Sequence, residues 1–153
     1  MFGFGAVIDN VNVSHCFAVN GNMVEPECDG LEEVKRAYKN AITKAKLHGP
    51  TNFASVLKTV VDMTEADNVS QTNQKYFIHL LITDGIISDI EKTIDQLVRG
   101  SSLPLSVIIV GVGQADFSSM DILDGDDAPL YSSTLRRYCS RDIVQFVPFR
   151  DFK

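Results

Sequence analysis

Two short segments of this chain carry residues that could bind a metal ion. Thr51 follows Gly49-Pro50 at the start of a predicted helix, and Asp84 follows an apolar run that predicts a buried strand. A hydroxyl and a carboxylate supply the oxygen ligands that a hard cation such as Mg²⁺ prefers, with water completing the shell. Taken singly, Thr51 is typical of a helix cap and Asp84 of a turn. If the two segments are neighbours, they predict a sparse divalent-metal site.

Helices are predicted where apolar residues recur at helical spacing. The first covers residues 30–46, and the second follows the Gly49-Pro50 break, where Thr51 is placed to cap it. Residues 88–91 match a capping box that opens a third helix, and a short fourth helix covers residues 117–123.

Apolar runs of strand length predict five strands, at residues 4–8, 15–19, 76–83, 106–112 and 143–149. The first two suit a hairpin joined through Asp9 and Asn10. The run at 76–83 is nearly unbroken, which favours burial on both faces of a parallel sheet, and His79 within it is expected to be a core residue and not a ligand. Strands that alternate with helices predict an α/β fold, namely a doubly wound, mostly parallel sheet with helices on both faces.

Composition limits the partners of the chain. Its 153 residues are 44% hydrophobic and 22% charged, which suits one globular domain over residues 1–153. The net charge of −6 opposes binding to nucleic acid and to anionic lipid, so neither is an expected direct partner. No apolar run is long enough to span a bilayer and no secretory leader is recognisable, so the expected location is intracellular.

Motifs for enzyme chemistry are missing from the sequence. There is no nucleophile elbow, no phosphate-binding loop and no supported pairing of cysteine with histidine, so no catalytic residue is predicted. Gly111-Val112-Gly113 lacks the third glycine of a dinucleotide fingerprint, so no cofactor-binding residue is predicted. The acidic segment 123–127 lacks the spacing of an EF-hand loop and is expected to be a solvated turn.

Five segments, spread over practically the whole chain, resemble the copine family in sequence, order and spacing. They are Gly49-Pro50-Thr51-Asn52-Phe53, Leu81-Ile82-Thr83-Asp84-Gly85, Val107-Ile108-Ile109-Val110-Gly111-Val112-Gly113, Leu123-Asp124-Gly125-Asp126-Asp127 and Arg141-Asp142-Ile143-Val144-Gln145-Phe146-Val147-Pro148-Phe149-Arg150. The resemblance implies the carboxy-terminal copine module, a relative of the von Willebrand factor type A domain.

That module is a non-enzymatic protein-interaction domain, so the resemblance also implies a function. In such domains a metal ion, Mg²⁺ or Mn²⁺ and in some cases Ca²⁺, recruits an acidic side chain of an intracellular partner protein. Thr51 matches the threonine of the family's second metal motif, and Asp84 matches the aspartate of the third. Intact copines are cytoplasmic, bind phospholipid in a calcium-dependent way and reach the plasma membrane through two calcium-binding modules that this sequence does not contain.

The sequence also departs from the family pattern. The first metal motif, of Asp-x-Ser-x-Ser type, is not found, since residues 9–13 do not fit it, and the expected first strand, first helix and final helix are also not found. That first strand would lie between residues 4–8 and 76–83, so two apolar strand edges are expected to be exposed. The metal site is expected to be weakened. Two alternatives remain: a truncated or incomplete gene product without a working site, and a metal-dependent hydrolase.

Overall fold

Helices and strands are mixed throughout the computed structural model, which describes residues 1–8 and 12–152. The helices are α1 (Gly30–Ile42), α2 (Ala54–Ala66), α3 (Ile90–Gly100) and α4 (Ser118–Asp124), with a 3-10 turn at Phe149–Phe152. The strands are β1 (Phe2–Gly3), β2 (Ala6–Val7), β3 (Val13–Ser14), β4 (Phe17–Ala18), β5 (Lys46–Leu47), β6 (Phe77–Thr83), β7 (Leu105–Gly111), β8 (Tyr131–Ser132), β9 (Arg137–Tyr138) and β10 (Val144–Pro148). The predicted mixed α/β class is confirmed. Within the described ranges no helix has the length and apolar character needed to cross a membrane.

The largest sheet is parallel and has the strand order β10-β7-β6. Its strands match three predicted ones to within two residues at each end. β6 lies at an edge, and its side chains alternate between the core and solvent: Ile78 is 69% exposed, Leu80 56% and Ile82 57%. The prediction that this strand is buried on both faces is therefore wrong, because a core lies on only one side of it.

That core joins one face of the parallel sheet to three helices. Its strand residues all share one face in the observed register, for example Leu81, Ile109 and Phe146. Leu57 of α2, together with buried residues of α3 and α4, packs into the same cluster. Since α2, α3 and α4 all pack on this face, the predicted arrangement of helices on both faces is not confirmed. We call the opposite side of β6, β7 and β10 the outward face.

The amino-terminal strands form the predicted hairpin, apart from its turn at Asp9 and Asn10, which lies outside the described residues. β1 pairs with β4 and β2 with β3 in one continuous antiparallel register. β2 also pairs with β5, so the hairpin belongs to a sheet separate from β6. This pairing explains why α1 ends at Ile42 and not at the predicted residue 46: Lys46–Leu47 is extended along β2.

The last residue of β7, Gly111, is a close contact point in the core. A β carbon added there would lie 2.9 Å from the ring of Phe117 and 3.0 Å from that of Phe146. Both rings are buried, so they have little room to move. We expect Gly111→Ala to lower the free energy of unfolding by about 1–3 kcal/mol, measured by urea denaturation.

A double-mutant cycle provides the control for this substitution. The cost of Gly111→Ala should shrink in a Phe117→Leu background, because the smaller side chain leaves space beside residue 111. An equal cost in both backgrounds would show that crowding by Phe117 is not its cause.

Candidate functional site

The candidate site lies beyond the carboxyl end of β6. Thr83, the last residue of the strand, is buried, and its carbonyl accepts a 2.8 Å hydrogen bond from the N–H of Val112 just after β7. Asp84 follows and is exposed to solvent. This hydrogen bond joins the ends of two parallel strands next to the exposed carboxylate of Asp84. The site therefore lies at the edge where α/β sheets bind ligands.

Thr51 lies beside the turn that contains Asp84. A β carbon added at Gly85 would be 3.0 Å from Thr51 Oγ1, so the hydroxyl lies against the backbone of Gly85. The carbonyl of Thr51 accepts a 2.8 Å hydrogen bond from the N–H of Ser88. The two segments that the sequence analysis singled out are therefore neighbours.

Both candidate ligand side chains are available to a ligand. Within the described part of the chain, the Thr51 hydroxyl and the Asp84 carboxylate have no hydrogen-bond or ion-pair partner. Thr51 is half-buried and Asp84 exposed, so solvent reaches both. Their oxygens suit a hard divalent cation that keeps several waters. Among the same described residues no group of three or more His, Cys, Asp or Glu could hold a metal, so such a cation would be held by few protein ligands.

The predicted cap on α2 is wrong in its residue. The helix begins at Ala54, three residues after Thr51, and its cap position is occupied by Phe53, which has no side-chain acceptor. The carboxylate of Asp89 takes that part instead: Oδ1 accepts the N–H of Phe53 at 2.9 Å, and Oδ2 accepts that of Ala54 at 3.0 Å. A carboxylate at a helix amino terminus satisfies free N–H groups and interacts favourably with the helix dipole.

The predicted capping box at residues 88–91 is also wrong in its cap residue. The cap residue of α3 is Asp89 and not Ser88, and it makes no side-chain capping bond to its own helix. It accepts instead a 3.2 Å hydrogen bond from the hydroxyl of Thr93, one turn into α3. One carboxylate therefore joins the start of α3 to the start of α2. The sequence analysis missed this role, and its sole signal was the position of Asp89 in the capping-box motif.

The acidic turn after α4 is less solvated than expected. Asp124 is half-buried, and its Oδ1 accepts a 2.9 Å hydrogen bond from the N–H of Phe146 in β10. Burial raises the pKa of the Asp124 carboxyl, the bond from Phe146 opposes that rise, and three nearby carboxylates add to it. Asp126 and Asp127 remain exposed, as predicted. The Asp124 carboxylate thus has a structural role, because it accepts a hydrogen bond from the edge strand β10.

Fold and site together define a class: a mixed α/β domain with hydroxyl and carboxylate oxygens beyond the carboxyl end of a parallel sheet. The family model described as Copine matches residues 1–153. The protein BONZAI 2 of Arabidopsis thaliana is 43% identical over 152 residues, covering 99% of this chain and 26% of the relative. The chain therefore belongs to the copine family, which confirms the resemblance. It spans about a quarter of the length of that relative.

Proposed function

We propose that this chain is a non-enzymatic protein-interaction module of the copine family and binds an acidic side chain of a partner through a divalent cation. Thr51 and Asp84 would hold the cation, which would be Mg²⁺ or Mn²⁺, or with lower preference Ca²⁺. The observation that carries the proposal is the contact of the Thr51 hydroxyl with Gly85, next to the exposed carboxylate of Asp84.

Charge favours a role for the cation in partner binding. The chain has a net charge of −6, so an acidic partner is repelled by the protein as a whole. A divalent cation, when bound, supplies local positive charge and open coordination positions. Asp84 anchors that charge at the surface, and the Thr51 hydroxyl offers a second oxygen. An acidic group can then approach because both residues are accessible to solvent.

The site predicts a local response to metal. Adding Mn²⁺ to the nitrogen-15-labelled protein should broaden the amide signals of Thr51 and Gly85 first, because paramagnetic broadening is strongest near the ion. Asp84→Ala should remove this selective broadening, and Thr51→Ala should weaken it. Asp126→Ala, which removes an exposed carboxylate from the acidic turn, should leave it unchanged. Broadening that persists in Asp84→Ala would overturn the proposed metal site.

Partner binding provides the second test. A library of short peptides that carry Asp or Glu should contain members that bind in Mg²⁺ and are released by a chelator. Their binding should be lost in Asp84→Ala and retained in Asp126→Ala. Peptides that bind equally with and without metal would show that recognition does not use the cation. Turnover of phosphate or ester substrates above the level of the Asp84→Ala variant would instead favour a hydrolase.

The same proposal covers the domain type of this chain, its location and its relation to membranes. We infer that residues 1–153 form one partial domain of von Willebrand factor A type, with a cytoplasmic location. Calcium-dependent binding to phospholipid and association with the plasma membrane would belong to other modules of a longer copine. Family membership over the whole chain supports this view, as does the parallel sheet with its polar carboxyl edge.

A further inference from the structure

The antiparallel hairpin formed by β8 and β9, residues 131–138, is a basic part of an acidic protein. Residues 128–141 contain three arginines and no acidic residue, although the whole chain has a net charge of −6. Arg136 and Arg137 lie in the hairpin, and Arg141 follows it. We call residues 131–138 the basic hairpin. Its local positive charge attracts anionic groups to this part of the surface.

The two arginines of the basic hairpin have no polar partner in the part of the chain that the structure describes. Neither Arg136 nor Arg137 makes a hydrogen bond or an ion pair there, and both are exposed. Arg141 differs, because its guanidinium donates to the carbonyls of Leu103 and Leu105 and holds the base of the hairpin. The remaining arginines also have polar partners, and they are Arg36, Arg99 and Arg150. The guanidinium groups of Arg136 and Arg137 are therefore open to a ligand.

Arg136 has a backbone conformation that arginine rarely adopts. Its φ is 52°, in the left-handed region, where glycine and asparagine are the usual residues. A glycine at this position would serve the turn without steric cost. An unusual conformation at an exposed side chain with no partner in the fold points to a use outside the fold.

Two adjacent tyrosine rings give the basic hairpin an aromatic surface beside its charge. Tyr131 and Tyr138 are cross-strand partners, and their ring centroids are 4.8 Å apart. The two residues are 48% and 62% exposed, and Leu135, next to Arg136, is 41% exposed. Tyrosine and arginine are among the residue types that contribute most to binding energy in protein interfaces. The basic hairpin thus offers both charged and apolar contacts.

Hydrogen bonds hold the basic hairpin in place before any ligand binds. Ser132 is buried, and its Oγ donates a 2.5 Å hydrogen bond to Asp95 in α3 and accepts the N–H of Leu135 at 2.8 Å. At the base of the hairpin, the N–H of Ser140 donates to Oγ of Ser101 at 2.9 Å. A surface that is fixed in advance loses less conformational entropy on binding.

The strand and helices that the family pattern would add do not explain the exposure of the basic hairpin. The expected first strand lies beside β6, whereas the hairpin leads into β10, at the other edge of the sheet. Leu130, just before the hairpin, belongs to the core cluster, so the hairpin lies on the covered side of the sheet and not on the outward face. The expected final helix would follow the carboxyl end of β10, and the hairpin joins its amino end.

We propose that the basic hairpin binds an acidic segment of a partner protein directly, through Arg136 and Arg137 and without a metal ion. Guanidinium groups bind carboxylates through paired hydrogen bonds. The tyrosine pair and Leu135 would pack against an apolar side chain of the same segment. A short segment fits better than nucleic acid or an anionic membrane, because an extended polyanion would also meet the net charge of −6. This inference does not depend on the metal site, which lies at the carboxyl end of the sheet.

Peptide titration followed by NMR tests the proposal, with a chelator present throughout so that the metal site cannot contribute. The probe is the peptide Glu-Glu-Phe-Leu-Glu-Glu, added to the nitrogen-15-labelled protein. The amide signals of Leu135, Arg136 and Arg137 should shift, and those of Thr51 and Gly85 should not. The analogue Gln-Gln-Phe-Leu-Gln-Gln should bind about fivefold more weakly, because it makes no charge pair with the arginines. Equal binding of the two peptides, or the absence of shifts in the hairpin, would overturn the proposal.

Substitutions separate the role of the arginine side chains from the stability of the fold. Arg136→Gly suits the positive φ, so urea denaturation should show no loss of stability, and the acidic peptide should bind about threefold to tenfold more weakly. Arg137→Gln should weaken binding by a similar factor. Arg36→Gln is the matched control, because it also removes one positive charge, but from α1, where Arg36 is paired with Glu33. It should leave peptide binding unchanged.

Two outcomes of these measurements would contradict the proposal. Undiminished binding in the double variant Arg136→Gly, Arg137→Gln would show that the hairpin arginines do not hold the peptide. Vesicles that contain phosphatidylserine should cause no shifts in the basic hairpin under the same conditions. Shifts with vesicles and none with the peptide would assign the basic hairpin to a membrane surface and overturn its assignment to a partner protein.

Discussion

Replacing Asp89 by alanine should be among the most damaging single substitutions in this chain. Its carboxylate accepts the N–H groups of Phe53 and Ala54 and the hydroxyl of Thr93. Removing it leaves two N–H groups at the start of α2 without this acceptor, and Phe53 is fully buried. We expect a loss of about 2–4 kcal/mol in the free energy of unfolding, because charge-assisted hydrogen bonds and a helix cap are lost together.

Urea denaturation measures the loss, and hydrogen exchange locates it. The amides of Phe53 and Ala54 should exchange faster in Asp89→Ala than global destabilisation alone would explain. Asp84→Ala is the matched control, since that carboxylate is exposed and without a partner among the described residues, and it should change stability by less than about 0.5 kcal/mol. If both variants have equal stability, Asp89 does not hold the two helix starts together.

The Asp89→Ala substitution should also affect the candidate metal site. Thr51 lies two residues before Phe53, and its carbonyl accepts the N–H of Ser88, the neighbour of Asp89. The segment that presents Thr51 is therefore held to the segment after Asp84 at two adjacent points. We infer that Asp89 positions the Thr51 hydroxyl beside Gly85. Asp89 would then act on any ligand through Thr51 and would not touch the ligand itself.

Local pattern predicted the secondary structure well, whereas contacts between distant segments could not be predicted. The strand at 76–83 was recognisable from its apolar run, and it is observed at Phe77–Thr83. The cap on α2 was not, because Asp89 lies 36 residues from Phe53 and only tertiary folding brings them together. Residues 46 and 47 were expected to end or follow α1, yet pairing with β2 makes them a strand.

The exposure of β6 illustrates a second limit of prediction from the sequence. An unbroken apolar run indicates a strand that can be buried on both faces, but it does not show that both faces are covered. Here the run predicts the strand and misjudges the burial of Ile78, Leu80 and Ile82. For the candidate site, the rule that parallel strands end at one edge places Asp84 but not Thr51, because the strand before Thr51, β5, belongs to a separate antiparallel sheet. The sequence analysis therefore left open whether Thr51 and Asp84 are neighbours. The contact with Gly85 needed three-dimensional structure, because a glycine in a turn does not reveal what approaches it.

His79 should make the stability of this protein depend on pH. It lies on the core side of β6, opposite Val107 of β7, and its Nε2 is buried without a hydrogen-bond partner among the described residues. Burial lowers the pKa of His79 to about 4, from 6.5 in an unfolded chain. The charged imidazolium is disfavoured because the core replaces the water that would solvate it.

The sign of the effect follows from proton binding. Between pH 6.5 and about 4 the unfolded chain binds a proton at His79 and the folded protein does not, so stability falls as the pH falls through this window. The contribution is fully present above pH 6.5 and amounts to about 3 kcal/mol over the whole window. Below about pH 4 both states are protonated at His79, and its contribution stops changing.

Urea denaturation at a series of pH values from 7.5 to about 4 tests this expectation. Carboxylates also titrate in this range, so the quantity to compare is the difference between wild type and His79→Leu. The variant should lose less stability than the wild type on acidification, and the gap should open between pH 6.5 and 4. His48→Leu is the control, because His48 is exposed, and it should follow the wild-type curve. Parallel curves for wild type and His79→Leu would show that His79 is already solvated in the folded protein. The core face of β6 would then be more accessible to water than the burial of its neighbours Phe77 and Leu81 indicates.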